Sequence, residues 1–312
     1  MPDAAIVIPT HNRAEVLRKL LESVRAQTVS CQVLVMDDAS VDGTGEMVRR
    51  DFPEAKYYRE EMSRGPTFQR NKGVEQSHAP IIFTIDDDCV MSSPRTVAQC
   101  IEAFDHPRVG AVTLPFANMR EGGRLLTRAS HEGGVEVTFD YFGGMIAFRR
   151  EAFLAAGRYR TYLFMHVEEF DLSIRLLERG YVVRLGLSDP MEHWESPVRN
   201  TNRVNMLEAR NHVLYCFFNV PWPYFPAHLL VTSINSLRIG RRKRAMGAVM
   251  RGLLRGYAGM FHEFFRRRPV SGTTYRLSRL LKSRHQMRLE EIEGLLPALV
   301  QESAKNPGQT ED

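Results

Sequence analysis

Cysteine is scarce: Cys31, Cys89, Cys100 and Cys216 are the only four among 312 residues, with no CxxC pair or other metal-ligand spacing. That argues against a disulfide framework, and free thiols in a reducing cytoplasm are the expectation. A secretory leader is not expected either. Met-Pro-Asp carries no basic region, and the apolar run from Ala4 to Ile8 is too short. Two common phosphate-binding motifs are missing: no GxGxxG follows the first apolar run, and GxxxxGK[ST] occurs nowhere. Their absence speaks against a dinucleotide oxidoreductase and a P-loop NTPase. Repeats and low-complexity tracts are also absent. Acids are nearly missing from 199–290, where three Asp and Glu stand against 18 Lys and Arg. The net charge of +5 therefore conceals −6 over 1–198, +15 over 199–290 and −4 over 291–312. With 43% hydrophobic and 25% charged residues, the composition is that of a globular chain.

What is present alternates apolar runs with amphipathic segments. Ala4–Ile8 reads as a buried strand ended by Pro9. A helix follows, with Val16, Leu17, Leu20, Leu21 and Val24 at helical spacing. Gln32–Met36 is a second strand, Gly45–Arg50 a short helix, and Tyr57-Tyr58 lies in a third strand. The stretch from Ser63 to Gly73 is a polar loop entering another helix. Ile81–Ile85 is a strand buried on both faces that runs into three consecutive carboxylates, Asp86, Asp87 and Asp88. Alternation at this spacing predicts a doubly wound α/β architecture.

In such a sheet, ligands gather at the carboxyl ends of the strands. Two runs end in acids there, at Asp37-Asp38 and at Asp86–Asp88, and the first ends in Pro-Thr-His-Asn. Adjacent acids repel unless something cationic lies between them, and a divalent ion with oxygen ligands is the usual resolution. An acidic turn left in solvent is the bland alternative. A nucleophilic aspartate of phosphatase type at Asp86-x-Asp88 is another, and it leaves the first two strand ends without a role. Arg64, Arg70 and Lys72 offer donors to phosphates, although each alone reads more readily as a solvated loop face. Acids for a metal beside bases for phosphates describe a nucleoside-diphosphate site.

Val7-Ile8-Pro9-Thr10-His11-Asn12-Arg13, Val35-Met36-Asp37-Asp38-Ala39-Ser40 with Asp42-Gly43-Thr44, Arg70-Asn71-Lys72-Gly73 and Asp86-Asp87-Asp88 occur in that order. Together they resemble the family 2 glycosyltransferases. The resemblance spans roughly residues 4 to 195 and extends to Phe142–Arg149 and to Phe164–Leu176. It implies a GT-A fold (Rossmann-like, a doubly wound mixed sheet with helices on both faces) and inverting sugar transfer from a nucleotide sugar. By that likeness Pro9, Thr10, Asn12, Arg13, Asp38, Arg70, Asp86 and Asp87 are expected around the nucleotide sugar. Asp88 is the expected ligand of Mn2+ or Mg2+, with Asp86 and a downstream His193. The general base is expected at Glu169, the second of paired acids, with Glu168 as second choice; a carboxylate there would take the acceptor's proton. Asp38 matches the position that meets a pyrimidine, which favours UDP or dTDP donors. Asp171 is expected to be a helix-end acid favoured by the dipole.

The expected domains are a GT-A unit over 1–200 and a basic amphipathic helical region over 201–305, with a disordered tail over 306–312. The GT-A unit divides into a donor half, 1–110, and an acceptor half, 111–200. Residues 213–237 carry no charge, yet Pro221, Pro223 and Pro226 speak against one spanning helix. Trp222, Tyr224 and Phe225 among them look like an interfacial wedge. Arg241–Arg244 follow, then an apolar stripe from Met246 to Phe265, then Arg266–Arg268. The stripe reads as packed core or, with so much positive charge, as a face for an anionic membrane. The expectation is peripheral association with the inner face of the cell membrane, a glycan or lipid-linked acceptor, and no nucleic acid, since no nucleic-acid module accompanies the charge. A processive polysaccharide synthase is disfavoured because no Gln-x-x-Arg-Trp-like motif is present. A silent, scaffold-type relative is the third reading.

Overall fold

The computed structural model describes residues 2–130, 133–195 and 200–299; the tail expected over 306–312 lies outside them. The first half runs β1 (Ala4–Thr10), α1 (Ala14–Arg25), β2 (Cys31–Asp37), α2 (Thr44–Asp51), β3 (Lys56–Arg59), α3 (Pro66–Glu75) and β4 (Ile81–Ile85). Next come β5 (Cys89–Met91), α4 (Thr96–Glu102), β6 (Val109–Thr113), β7 (Phe116–Asn118), β8 (Arg124–Leu126), β9 (Glu136–Thr138) and β10 (Met145–Arg149). The core closes with α5 (Arg150–Ala155), α6 (Glu168–Glu178), β11 (Val182–Leu185) and β12 (Met191–His193). Beyond it lie α7 (Thr201–Asn219), α8 (Phe225–Arg242), α9 (Met246–His262), α10 (Gly272–Arg284), β13 (Met287–Arg288) and α11 (Leu289–Ile292).

Nine strands form one mixed sheet in the order β13-β9-β11-β6-β10-β4-β1-β2-β3. The donor-side strands β4, β1, β2 and β3 are parallel, and β10 enters antiparallel between β4 and β6. Every residue of β1 and β4 is buried, as helices on both faces require. β1 does not stop before Pro9 but runs on to Thr10. Its pairing with β4 covers only Ala4–Val7, so Pro9 has a ladder partner on the β2 side alone. One-sided pairing is where a strand tolerates the missing N–H. In α1, Leu17, Leu20, Leu21 and Val24 are buried as the spacing predicts, whereas Val16 is exposed.

A second sheet, β5-β12-β7-β8, is not foreshadowed by any periodicity because its strands are three residues each. It sits where the chain leaves Asp88, and it matters below.

The C-terminal region is helical, and no helix of the described residues is long and apolar enough to cross a membrane. It is also woven into the core. Met287-Arg288 extends the main sheet beside β9, and Tyr275, Leu277, Leu281, Leu289 and Ile292 join the cluster that holds Val109, Val137 and Ile174. On α9 the buried face is Ala248, Val249, Gly252, Leu253, Gly256 and Gly259, so only Val249 and Leu253 of the stripe are buried. A Cβ on Gly252 would lie 2.3 Å from the Met206 carbonyl oxygen, and one on Gly256 2.8 Å from Val213 Cβ. α7 and α9 thus pack backbone to backbone, which rotates Leu254, Phe261 and Phe265 outward at 66%, 82% and 88% exposure.

Candidate active site

The three carboxylates after β4 are not an acidic turn in solvent: Asp87 and Asp88 are buried and Asp86 is half-buried. Cations of the chain itself lie between them. Arg13, at the start of α1, directs Nη1 to Asp87 Oδ1 at 2.7 Å and to Asp88 Oδ2 at 2.9 Å. Arg70 Nη2 donates to Asp86 Oδ1 at 2.7 Å. Thr10 Oγ1, at the end of β1, donates to Asp87 Oδ2 at 2.8 Å. Burial would remove charge from Arg13, but Asp87 and Asp88 outweigh it and hold the guanidinium charged. Asp87 is pushed up to about 6, chiefly by burial, with Arg13 opposing. Asp88 stays below the ordinary carboxylate range, since its bonds to His193 and Arg13 overcome burial.

His193 reaches Asp88 through the small sheet. β12 pairs antiparallel with β5 so that His193 stands opposite Cys89, and Trp194 N–H donates to the Asp88 carbonyl at 2.8 Å. His193 Nε2 then lies 3.5 Å from Asp88 Oδ1. Phe142 and Phe116 pack on the ring at centroid distances of 5.3 and 5.9 Å and fix its plane. Asp88, Cys89 and His193 offer ligand atoms within 4.8 Å of one another. Burial and the neighbouring acids hold the Cys89 thiol protonated, so the ionic donor set is a carboxylate and an imidazole. That pair fits Mn2+ or Mg2+ better than a soft ion. Asp86, also expected near the metal, does not join this group and engages Arg70 instead.

The paired acids open α6 across the cleft. Glu168 is buried; its Oε1 accepts from Arg70 Nη1 at 3.2 Å, and its Oε2 has no hydrogen-bond partner among the described residues. Glu169 is half-buried. Both carboxyls are pushed above the ordinary glutamate range, first by burial; at Glu168 the Glu169 charge adds to it, and at Glu169 its own backbone N–H and the Arg70 charge work against it. Arg70 is therefore a bridge between the two acidic clusters, wholly buried. Gly143 and Gly144 make the bridge possible. A Cβ on Gly143 would lie 2.9 Å from Arg70 Nη1 and 3.1 Å from Glu169 Oε1; one on Gly144 would lie 2.1 Å from Asp86 Cγ. The small residues beneath the site thus make way for the chain's own side chains as well as for any ligand.

Other expected residues are placed beside this core and tied into its walls. Asp38 accepts from Ser63 Oγ (2.5 Å), Arg64 N–H (2.7 Å), Gln69 Nε2 (2.7 Å) and Gly65 N–H (3.1 Å). Those donors hold its carboxyl low against the effect of burial. Asn12 staples the first strand end to the second: its N–H donates to Ser40 Oγ at 2.8 Å and its Oδ1 accepts from Val41 N–H at 2.7 Å. Arg70 and Lys72 lie in α3 rather than in a loop, since Pro66 starts the helix at its first turn. Lys72 pairs with Glu60, and the Arg64 guanidinium lies 3.9 Å from the Phe68 ring centroid. Asp171 is structural, but through a network rather than the helix dipole. Fully buried, it accepts from Arg160, from Arg175 Nη2 at 2.6 Å and from Asn219 Nδ2 at 2.8 Å, locking α6 to α7. Neither Asn219 nor the aromatic pair around His193 carried a local signal in the sequence.

Comparison with known proteins gives the same picture. Residues 5–170 match the family model described as glycosyl transferase family 2. An uncharacterized glycosyltransferase of Haemophilus influenzae is 28% identical over 224 residues, 67% of this chain and 75% of that protein. The GalNAc(5)-diNAcBac-PP-undecaprenol beta-1,3-glucosyltransferase of Campylobacter jejuni is 30% identical over 93 residues, only 28% of this chain and 30% of that one. In fold, the mannosyltransferase PcManGT of Pyrobaculum calidifontis, solved with GDP-Man and Mn2+, covers 82% of this chain and 75% of its own at a TM-score of 0.58. At 20% identity that likeness shows the GT-A architecture alone. With more than half its length inside the family model and acids at both faces of one cleft, the chain belongs to glycosyl transferase family 2 and is a glycosyltransferase.

Proposed function

We propose that this enzyme transfers a sugar, with inversion, from a nucleoside diphosphate sugar to a hydroxyl of a glycan or lipid-linked acceptor. The reading is carried by Arg70, which ties the acids after β4 to the acids opening α6 across two glycines. Two acidic clusters joined by one arginine support the reading of a diphosphate side at Asp86–Asp88 and a base side at Glu168-Glu169.

In this reading Glu169 takes the proton of the acceptor hydroxyl, the acceptor oxygen bonds to the anomeric carbon, and the bond to the diphosphate breaks with its electron pair leaving on phosphate. Attack opposite the leaving group inverts the anomeric centre. Raised proton affinity suits Glu169 to that task, and Glu168 and Arg70 hold its place. Asp88 and His193 would hold a divalent ion, which supplies Lewis-acid neutralisation of the leaving diphosphate. Arg13 fixes the rotamers of Asp87 and Asp88. A uridine or thymidine donor is favoured from the position of Asp38. Base recognition by its carboxylate would require the Ser63–Gln69 contacts to yield.

The same proposal places the protein at the inner face of the cell membrane, peripherally. The support is a surface: outward Leu254, Phe261 and Phe265 on and after α9, with Arg241–Arg244 at one end and Arg266–Arg268 at the other. Apolar side chains flanked by arginines match the acyl boundary and headgroups of an anionic bilayer.

The test is nucleotide-sugar hydrolysis and transfer by the purified chain with uridine, thymidine and guanosine diphosphate sugars, with and without Mn2+ or Mg2+. Metal-stimulated turnover with inverted product is expected. A protein that neither binds nor turns over any of them ends the reading.

A further inference from the structure

Away from the cleft, α7, α8 and α10 enclose a groove of about 480 Å³, within the range of small-molecule sites. Its floor is aromatic. Phe139 and Phe170 stack at 6.1 Å, His212 lies over Phe170 at 6.3 Å, and Tyr275 closes the far wall against Tyr224 at 4.7 Å. Its open edge is α8, where Val231 and Ile239 line the groove at 54% and 38% exposure.

Two features of its charge set it apart from packed core. Among the described residues no Asp or Glu lines it, whereas Arg279 and Lys282, one turn apart on α10, both do. Among the described residues neither cation has a carboxylate within salt-bridge distance; the Lys282 ammonium rests 3.8 Å from the Phe170 centroid instead. His212 and His228 add no charge of their own, because burial with Lys282 at both, and Arg279 at His228, holds them near 4 and therefore neutral. Lys282 is half-buried over an aromatic ring, where burial lowers its proton affinity and the Asp140 carboxylate offsets this only at a distance, without an ion pair. An anion between Lys282 and Arg279 would relieve that cost with charge-assisted hydrogen bonds. An aromatic floor leading to exposed aliphatic residues would then take hydrocarbon.

We propose that this groove is a binding site for an amphiphilic phosphate, the head held by Arg279 and Lys282 and the chain lying over Phe170 and Tyr275 and out along Val231 and Ile239. Phe170 follows Glu169 directly, so the groove ends against the helix that carries the proposed base. Occupancy is independent of the transfer chemistry and is measured without donor.

The experiment is calorimetric titration of the full chain, below the micelle threshold, with dodecyl phosphate, inorganic phosphate and dodecyl maltoside. Dodecyl phosphate should bind one to one, and tighter than either control by about tenfold or more, because head and chain are both recognised. Arg279→Gln with Lys282→Gln should weaken it by a similar factor, about tenfold. Asn235→Trp, an exposed change on the α8 rim, should weaken dodecyl phosphate and leave folding intact. Inorganic phosphate binding as tightly as dodecyl phosphate would make the site one for a free anion and overturn the amphiphile. Equal binding of the maltoside, no saturable binding, or unchanged affinity in both variants would overturn the site itself.

Discussion

His193 Nε2 stands 3.5 Å from Asp88 Oδ1, although Asp88 lies in the turn before β5 and His193 on β12, far apart in the chain. Antiparallel pairing of β5 with β12 makes the contact, and Phe116 and Phe142 hold the ring in place. An oxygen and a nitrogen donor fixed this way are suited to a divalent ion, and their loss should be felt in metal response before it is felt in folding.

Asp88→Asn should therefore lower kcat by about a hundredfold or more, the scale of removing a preorganised electrostatic contact. His193→Ala should produce a smaller loss, and in both variants Mn2+ should no longer raise the melting temperature. Thermal shift and steady-state rates over a metal titration check this. A variant with wild-type metal response would move the metal site elsewhere.

Glu169→Gln and Glu168→Gln separate base from positioner. The first should cost about 10²–10⁴ in kcat with little change in donor KM, the range for a general base. The second keeps a neutral partner for Arg70 and should cost far less. Reversal of the two losses would assign the base to Glu168.

The same pair gives stability a pH dependence of defined sign. Both carboxyls are raised in the folded protein, chiefly by burial. Their contribution is thus fully present below the ordinary value of about 4.3 and is lost as pH rises through the raised folded values. Melting temperature should fall between pH 5 and 8 in donor-free buffer, and Glu168→Gln should flatten that fall. Ionised Glu169 is the active form, so the acid limb of kcat/KM should lie above the ordinary glutamate range. Parallel melting curves for wild type and variant would refute the linkage.

Asp171→Asn should act on folding rather than on chemistry. It leaves the half-buried Arg160 and Arg175 without their carboxylate, which costs about 3–5 kcal/mol. Chemical denaturation measures the loss, and the surviving folded fraction should retain its specific KM. A variant of normal stability would show that Asn219 and the two arginines hold α6 to α7 without it.

Membrane association should depend on charge and on the outward face separately. Arg241, Arg242, Lys243 and Arg244 changed to Gln should reduce binding to anionic vesicles by at least about tenfold, with weaker salt dependence, since each basic residue contributes about 1 kcal/mol there. Phe261→Ser with Phe265→Ser should weaken binding without altering the salt dependence. Unchanged sedimentation with vesicles in both cases would remove the membrane from the proposal.

Local pattern determined a great deal. Apolar runs marked β1, β2 and β4, helical spacing marked α1, and acids at two strand ends located the cleft edge, because strand burial and helix amphipathicity are written residue by residue. The pairing of Glu168 with Glu169 at a helix start was legible for the same reason. Partner choice was not. That Arg13 and Arg70 lie among Asp86, Asp87 and Asp88, that Asp38 is claimed by Ser63 and Gln69, and that Asp171 meets Asn219 depend on which side chains converge in space. The orientation of α9 went the same way. Its stripe read as packed core or as a membrane face; Gly252 and Gly256 let α7 approach so closely that Val249 and Leu253 are inside with the small residues and Phe261 is out. Sequence periodicity fixes that a helix has two faces; only the distance between two backbones decides which one is buried.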